Sequence, residues 1–183
     1  LHYMAYLDFP PLKAYSEDAL IPCDVHLPPG AVWIDVLDYN DLQYATPRPS
    51  DTLVYDGWTR GEVRQHGFVN GSGIGTGFGA DAGDRVQYTL SLPDTLMDGV
   101  LMVRYRASAG QVTFKAIGLP FDQIVFSQTD DFALSTIKLG AVHAGELAFE
   151  LVSQGGADLE LDGFVLLEAS LQDQVRFSLH HWN

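Results

Sequence analysis

The stretch that decides the fold is residues 83–93, which read Gly83-Asp84-Arg85-Val86-Gln87-Tyr88-Thr89-Leu90-Ser91-Leu92-Pro93. Apolar and polar residues alternate from 85 to 92, and Pro93 with Asp94 ends the run. Strict alternation puts every second side chain on the same face of an extended chain. The stretch therefore predicts a β-strand with one face in a core and the other in solvent.

Similar segments recur along the chain on both sides of this strand, separated by turn residues. They cover residues 53–55, 100–106, 111–117, 123–126, 133–139, 146–152 and 159–168. No convincing amphipathic helix lies between them, and regular short strands with turn signals are typical of sandwiches. The sequence predicts an all-β fold, an antiparallel β-sandwich or jelly roll of about eight or nine strands.

The first 50 residues differ from the rest, since they hold seven of the nine prolines. Proline at this density disfavours helix interiors and central strands. We therefore predict a Pro-rich N-terminal arm, linker or end of a preceding domain at 1–50. The β-sandwich domain is predicted at 51–170, and a C-terminal tail at 171–183.

Composition excludes several classes of partner and site. The net charge is −14, from 24 acidic against 10 basic residues, which argues against binding to nucleic acid or to an anionic membrane. Cys23 is the only cysteine, so no disulfide framework or thiolate metal site is expected. The glycine-rich stretch 71–79 lacks the Lys-Ser or Lys-Thr of a phosphate loop, and no Gly-x-Ser-x-Gly elbow occurs.

Five stretches occur in an order that is typical of one group of proteins. They are the glycine-rich stretch 67–79, then 83–93, Leu101-Met102-Val103-Arg104-Tyr105-Arg106-Ala107, 144–151, and Leu161-Asp162-Gly163-Phe164-Val165-Leu166. In this order they resemble the carbohydrate-binding modules of families 6 and 35 and their galactose-binding-like relatives. The resemblance covers roughly residues 53–169 and implies a sandwich that binds carbohydrate.

The resemblance also implies a structural calcium ion. These families carry two carboxylates in an early Glu-Ala-Glu and an aspartate in the closing strand. Here Val54-Tyr55-Asp56 stands at the first place, so Asp56 and Asp162 are the expected ligands. Calcium takes six to eight oxygen ligands, which backbone carbonyls would complete. The alternative is that both aspartates make turn or cap hydrogen bonds.

Sugar recognition needs an aromatic ring for the apolar face of the sugar and planar polar groups for its hydroxyls. The predicted ligand-binding residues lie in turns and are Trp58, Asn70, Asp130, Phe132 and Asp158. The family's stacking tryptophan is replaced within 129–132, where Phe132 is the only aromatic. Trp58 and Phe132 could equally be core residues.

The leading hypothesis is a non-catalytic carbohydrate-binding domain, belonging to a larger carbohydrate-active enzyme and acting outside the cell, at its surface or in the periplasm. Its expected partners are a polysaccharide or oligosaccharide and a neighbouring domain. The first alternative is a structural or assembly sandwich that has lost sugar binding. The second is a small jelly-roll glycoside hydrolase, which would need two facing carboxylates in a cleft.

Overall fold

The computed structural model describes residues 23–46, 62–64, 67–75 and 77–179. In this part of the chain the secondary structure is thirteen strands and one 3-10 helix, Ala169–Gln174. The strands are β1 (Cys23–His26), β2 (Val32–Asp35), β3 (Asp41–Gln43), β4 (Glu62–Arg64), β5 (Ser72–Ile74), β6 (Ala82–Leu92), β7 (Leu96–Arg106), β8 (Gln111–Ile117), β9 (Gln123–Ser127), β10 (Ala133–Val142), β11 (Gly145–Gln154), β12 (Glu160–Glu168) and β13 (Arg176–Leu179). None of the described residues forms a helix long and apolar enough to cross a membrane.

Two large antiparallel sheets form the body of the molecule. The six-stranded sheet has the order β10-β7-β12-β5-β4, with β2 also paired to β12. The five-stranded sheet has the order β3-β6-β11-β8-β9. From β6 to β12 the chain crosses repeatedly between the sheets. The predicted all-β antiparallel sandwich is confirmed.

The seven long strands, β6 to β12, coincide with predicted strands, whereas the predicted strand 53–55 lies outside the described residues. The described strands outnumber the predicted eight or nine because β1 to β5 and β13 are only three or four residues long. β2 lies in a stretch, residues 31–37, whose sequence is strand-like, whereas the other short segments carry too little alternation to be recognised in the sequence.

The main core lies between the two sheets and follows the alternation of β6. Val86 and Tyr88 are buried, whereas Arg85 and Gln87 face solvent. The Tyr88 ring contacts Phe149 of its own sheet at 5.3 Å and Phe164 of the other sheet at 5.0 Å between ring centroids. Its hydroxyl donates to the Val36 carbonyl at 2.7 Å. Each such aromatic pair adds about 0.5–1.5 kcal/mol beyond area burial.

A second, smaller core covers the outer face of the six-stranded sheet. Its buried members are Val100, Met102, Val165, Leu167 and Val175. The first four lie on β7 and β12 and pack under a layer, here called the flap, that consists of residues 23–31 and 169–179, includes Val175 and is held together by the β1–β13 pairing. Strands β7 and β12 are thus buried on both faces, which explains their nearly continuous apolar sequences.

The structure places β2 and β3, which precede residue 51, in the two large sheets, and it places β13, which follows residue 170, in the flap. β2 pairs with β12 at residues 163–166, and β3 pairs with β6 at residues 85–87. Strands on both sides of the predicted range 51–170 thus pair with neighbours, β2 and β3 with the large sheets and β13 with β1 in the flap. Gly163 permits the β2 contact, since a Cβ there would overlap the Trp33 ring and lie 2.7 Å from the Ile34 carbonyl oxygen.

Truncating Met102 tests whether the flap covers the sheet. Met102 lies on β7 and is 6% exposed under the flap. Met102→Ala is expected to lower the free energy of unfolding, measured in urea, by about 2 kcal/mol because it leaves a cavity. Met97→Ala is the matched control, since Met97 is 76% exposed and its truncation should change stability by less than about 0.5 kcal/mol. Equal effects of the two variants would contradict a packed flap.

Candidate functional site

The outer face of the five-stranded sheet carries an exposed row of side chains, one from each strand. Gln43 of β3 lies opposite Arg85 of β6, which lies opposite Val152 of β11. Val152 in turn lies opposite Lys115 of β8, and Lys115 opposite Gln123 of β9. At about 4.8 Å between strands, the row is about 19 Å long. This row, with its neighbours Gln87 and Glu150, is called the open face below.

The open face offers planar hydrogen-bonding groups in alternation with a small apolar surface. The Arg85 guanidinium donates to the Gln43 amide oxygen at 2.6 Å and 3.2 Å and lies 3.6 Å from the Glu150 carboxylate. Lys115 and Gln123 are exposed, and Val152 is half-buried between the two cations. Amides, guanidinium and carboxylate together supply donors and acceptors for neighbouring hydroxyl groups.

A second group, here called the end cluster, lies on the outer face of the six-stranded sheet beyond the flap core. Its centre is Phe132, whose ring has the guanidinium of Arg104 at 4.2 Å and that of Arg106 at 4.5 Å. The edge of Phe68 contacts the same ring, with 4.9 Å between centroids. Arg106 also donates to Glu160 at 2.5 Å. Phe132 is therefore half-buried among cations.

The most deeply buried part of the end cluster is an ion pair between Arg104 and Asp162. Asp162 is the extra residue of a β-bulge, since the register shifts between Leu161, opposite Tyr105, and Gly163, opposite Arg104. The bulge brings the carboxylate to the guanidinium of Arg104. That guanidinium also donates to the Gly67 carbonyl at 2.7 Å and lies 4.7 Å from the centroid of Phe177 in the flap.

A second buried carboxylate, Asp35, lies on the neighbouring strand β2. Its oxygens accept hydrogen bonds from the Leu37 amide at 2.9 Å and from the Asn70 side chain. Burial raises the pKa of Asp35. Burial also raises the pKa of Asp162 to about 6, although Arg104 acts against the rise. Near neutral pH, Asp162 is mostly ionised and paired with Arg104.

The predicted ligand-binding residues differ in whether the structure describes them and in whether their side chains are exposed or already engaged by other residues. Trp58 lies outside the described residues. Asn70 is held by Asp35, and Phe132 by the two guanidinium groups. Asp130 and Asp158 are exposed in the loops before β10 and β12. Phe132 and the turn that carries Asn70 come together through Phe68, but no described aromatic ring is fully exposed as a sugar platform.

The contacts of Asp162 do not fit the calcium site that the resemblance implied. One carboxylate oxygen accepts a hydrogen bond from the Val69 amide at 3.0 Å, and the other meets Arg104. A divalent cation would lie directly beside the guanidinium charge. Asp56, the other expected ligand, lies outside the described residues, and the described residues contain no group of three or more metal-binding side chains of His, Cys, Asp or Glu.

The open face was missed at the sequence level, although its signal is the polar half of the same alternation that predicted the strands. Positions such as 85, 87, 113, 115 and 123 alternate with core residues. Which outward positions share one surface depends on strand order, and that order places β6 and β8 on either side of β11. Strand order is a long-range property that the alternation does not contain.

Comparison with known proteins finds similarity in structure only. No protein-family model and no curated protein sequence matches the chain. The family 35 carbohydrate-binding module of Abf62 from Cellvibrio japonicus has a TM-score of 0.52 at 10% identity, over 84% of this chain and 99% of that one. A family 35 module from Clostridium thermocellum has a TM-score of 0.50 at 12% identity, over 76% and 98%. At these identities the likeness is one of fold, and it confirms that the chain resembles carbohydrate-binding modules, here those of family 35, in fold.

Proposed function

We propose that this chain is a non-catalytic carbohydrate-binding domain of a larger carbohydrate-active protein, and that it binds glycan on the open face. The observation that carries the proposal is the exposed row that crosses all five strands, from Gln43 through Arg85, Val152 and Lys115 to Gln123. The fold shared with family 35 modules supports the same class of function. An extracellular, cell-surface or periplasmic location belongs to this proposal.

Asymmetry between the two sheets favours the open face over the opposite side of the sandwich. The flap covers the outer face of the six-stranded sheet with apolar packing and leaves no flat polar surface at Met102 and Val165. The outward side chains of the five-stranded sheet are exposed or, like Val152 and Glu150, half-buried, and no described element covers them with apolar packing. A sugar ring that lies across Val152 would bring hydroxyl groups within reach of Arg85 on one side and Lys115 on the other. Binding would then depend on hydrogen bonds, and no covalent bond of the sugar would be made or broken.

In this proposal the loop residues predicted from the sequence are secondary candidates for contact with the glycan. Trp58 is retained as a candidate stacking residue, and the exposed Asp130 and Asp158 as candidate acceptors for hydroxyl groups. Phe132 is better assigned to support of Arg104 and Arg106, because both guanidinium groups lie against its ring. Phe132→Ala would therefore change stability as well as binding, and it is a poor test of ligand contact.

A double substitution on the open face tests the proposal by affinity electrophoresis on a panel of plant and microbial polysaccharides. The wild type is expected to be retarded by at least one polymer. Lys115→Ala/Gln123→Ala should reduce that retardation and raise the Kd for the polymer about tenfold, since two hydrogen bonds of about 0.5–1.5 kcal/mol each are removed. Lys138→Ala/Gln174→Ala is the matched control, because both residues are exposed away from the open face.

Equal retardation of the two double variants would remove the open face as the site, and loss of binding in Trp58→Ala would then move it to the loops. No retardation of the folded wild type on any polymer would favour the second candidate function, a structural or assembly module. The observation that favours that candidate is that every described aromatic side chain is at least partly buried.

A further inference from the structure

Two buried carboxylates, Asp35 and Asp162, lie side by side at the edge of the flap, on the paired strands β2 and β12. A pair of buried acids is costly unless a positive charge or hydrogen-bond donors compensate it. A bound divalent cation is one means of compensation. The contacts of Asp35 and Asp162 show how the chain compensates these two negative charges.

All four carboxylate oxygens already accept a donor from the protein. Those of Asp35 accept from the Leu37 amide and the Asn70 side chain, and those of Asp162 from the Val69 amide and Arg104. Calcium takes six to eight oxygen ligands, so its site must present lone pairs to a common point. Here each oxygen directs a lone pair at an amide or guanidinium hydrogen, and a cation bound at Asp162 would lie against the charge of Arg104.

The contacts of the buried Arg104 side chain hold its guanidinium beside Asp162. Its guanidinium donates to the Gly67 carbonyl at 2.7 Å as well as to Asp162. Phe132 lies 4.2 Å from it and Phe177 lies 4.7 Å from it. The residue is 7% exposed, and the flap strand β1 is anchored beside it by the bond from the Cys23 amide to the Phe68 carbonyl at 2.9 Å.

We infer that the guanidinium of Arg104 takes the place of a divalent cation at Asp162, so that the chain folds and keeps this end of the sandwich ordered without calcium. The positive charge that neutralises the closing-strand aspartate is supplied by the chain itself. The inference concerns the stability of the fold and does not depend on whether the open face binds glycan.

The first test is the melting temperature of the full chain in calcium chloride and in a calcium chelator. The two values are expected to agree within about 1 °C, because a cation that binds only the folded state at 100 times its Kd would raise the value by about 5–10 °C. A calcium-dependent rise that disappears in Asp162→Asn would overturn the inference. A rise that persists in Asp162→Asn would place a cation elsewhere in the chain and would contradict the inference that the fold is independent of calcium.

The second test removes the guanidinium. In Arg104→Gln, Asp162 loses its positive neighbour, and calcium should then raise the melting temperature by about 5 °C where the wild type is unaffected. Asp162→Asn in the same background should abolish that response. An Arg104→Gln protein that folds and ignores calcium would contradict the inference. Should the variant not fold in either buffer, the wild-type comparison decides.

Discussion

Arg104→Met is expected to lower the free energy of unfolding by about 3–5 kcal/mol, the largest effect of any substitution considered for this chain. Methionine keeps much of the apolar stem of arginine but removes the charge that compensates Asp162, which is fully buried. The Gly67 carbonyl loses a donor, and the rings of Phe132 and Phe177 lose the cation between them. Urea denaturation at neutral pH measures the change.

A double-mutant cycle separates the ion pair from the packing of the side chain. Asp162→Asn alone and Arg104→Met alone should each be strongly destabilising, and the double variant should cost less than the sum of the two. Lys138→Met is the control for replacement of an exposed cation and should change stability by less than about 0.5 kcal/mol. A loss below about 1 kcal/mol in Arg104→Met would contradict the description of this ion pair as a buried charge compensation.

The second large effect is expected at Asp84, which follows Gly83 at the start of the decisive stretch. Asp84 is fully buried, and its two oxygens accept hydrogen bonds from the Ala45 and Gly79 amides, each at 2.9 Å. It therefore ties the segment after β3 to the loop before β6. Asp84→Ala leaves both amides without an acceptor and should cost about 3 kcal/mol in urea denaturation.

Asp84→Asn gives the graded comparison, because asparagine keeps one oxygen acceptor and replaces the other with a donor. It should retain part of the stability that Asp84→Ala loses. Asp94→Ala, at an exposed position in the turn between β6 and β7, controls for the loss of a carboxylate and should be nearly neutral. Equal stability of Asp84→Ala and Asp94→Ala would show that the two bonds to Asp84 contribute nothing.

Period-two alternation was sufficient to predict the long strands and the sandwich. Val86 and Tyr88 are buried while Arg85 and Gln87 are exposed, as the pattern of residues 83–93 required. Residues 31–37 are strand-like in sequence, but the sheet that β2 joins was not predictable, because the proline density of residues 1–50 indicated an arm or linker. Its place is decided by the long-range pairing of Trp33 with Val165, which local pattern does not encode.

The candidate site was less predictable than the fold because its residues are joined by tertiary contacts. Phe132 was a reasonable candidate for sugar stacking as the only aromatic in its loop. Its neighbours are Arg104 and Arg106, about thirty residues earlier, and they engage the ring themselves. Likewise a β-bulge brings Asp162 to Arg104, 58 residues earlier in the chain, a contact that the local sequence does not show.

Binding of carbohydrate to the open face can be measured residue by residue. The measurement is an amide chemical-shift titration of the nitrogen-15-labelled chain with oligosaccharides from the polymer that retards the wild type in electrophoresis. If glycan binds to the open face, saturable shifts are expected along the row from Gln43 to Gln123, with little change at the flap. Shifts confined to residues 67–71 and 129–132, or none with any oligosaccharide, would contradict it.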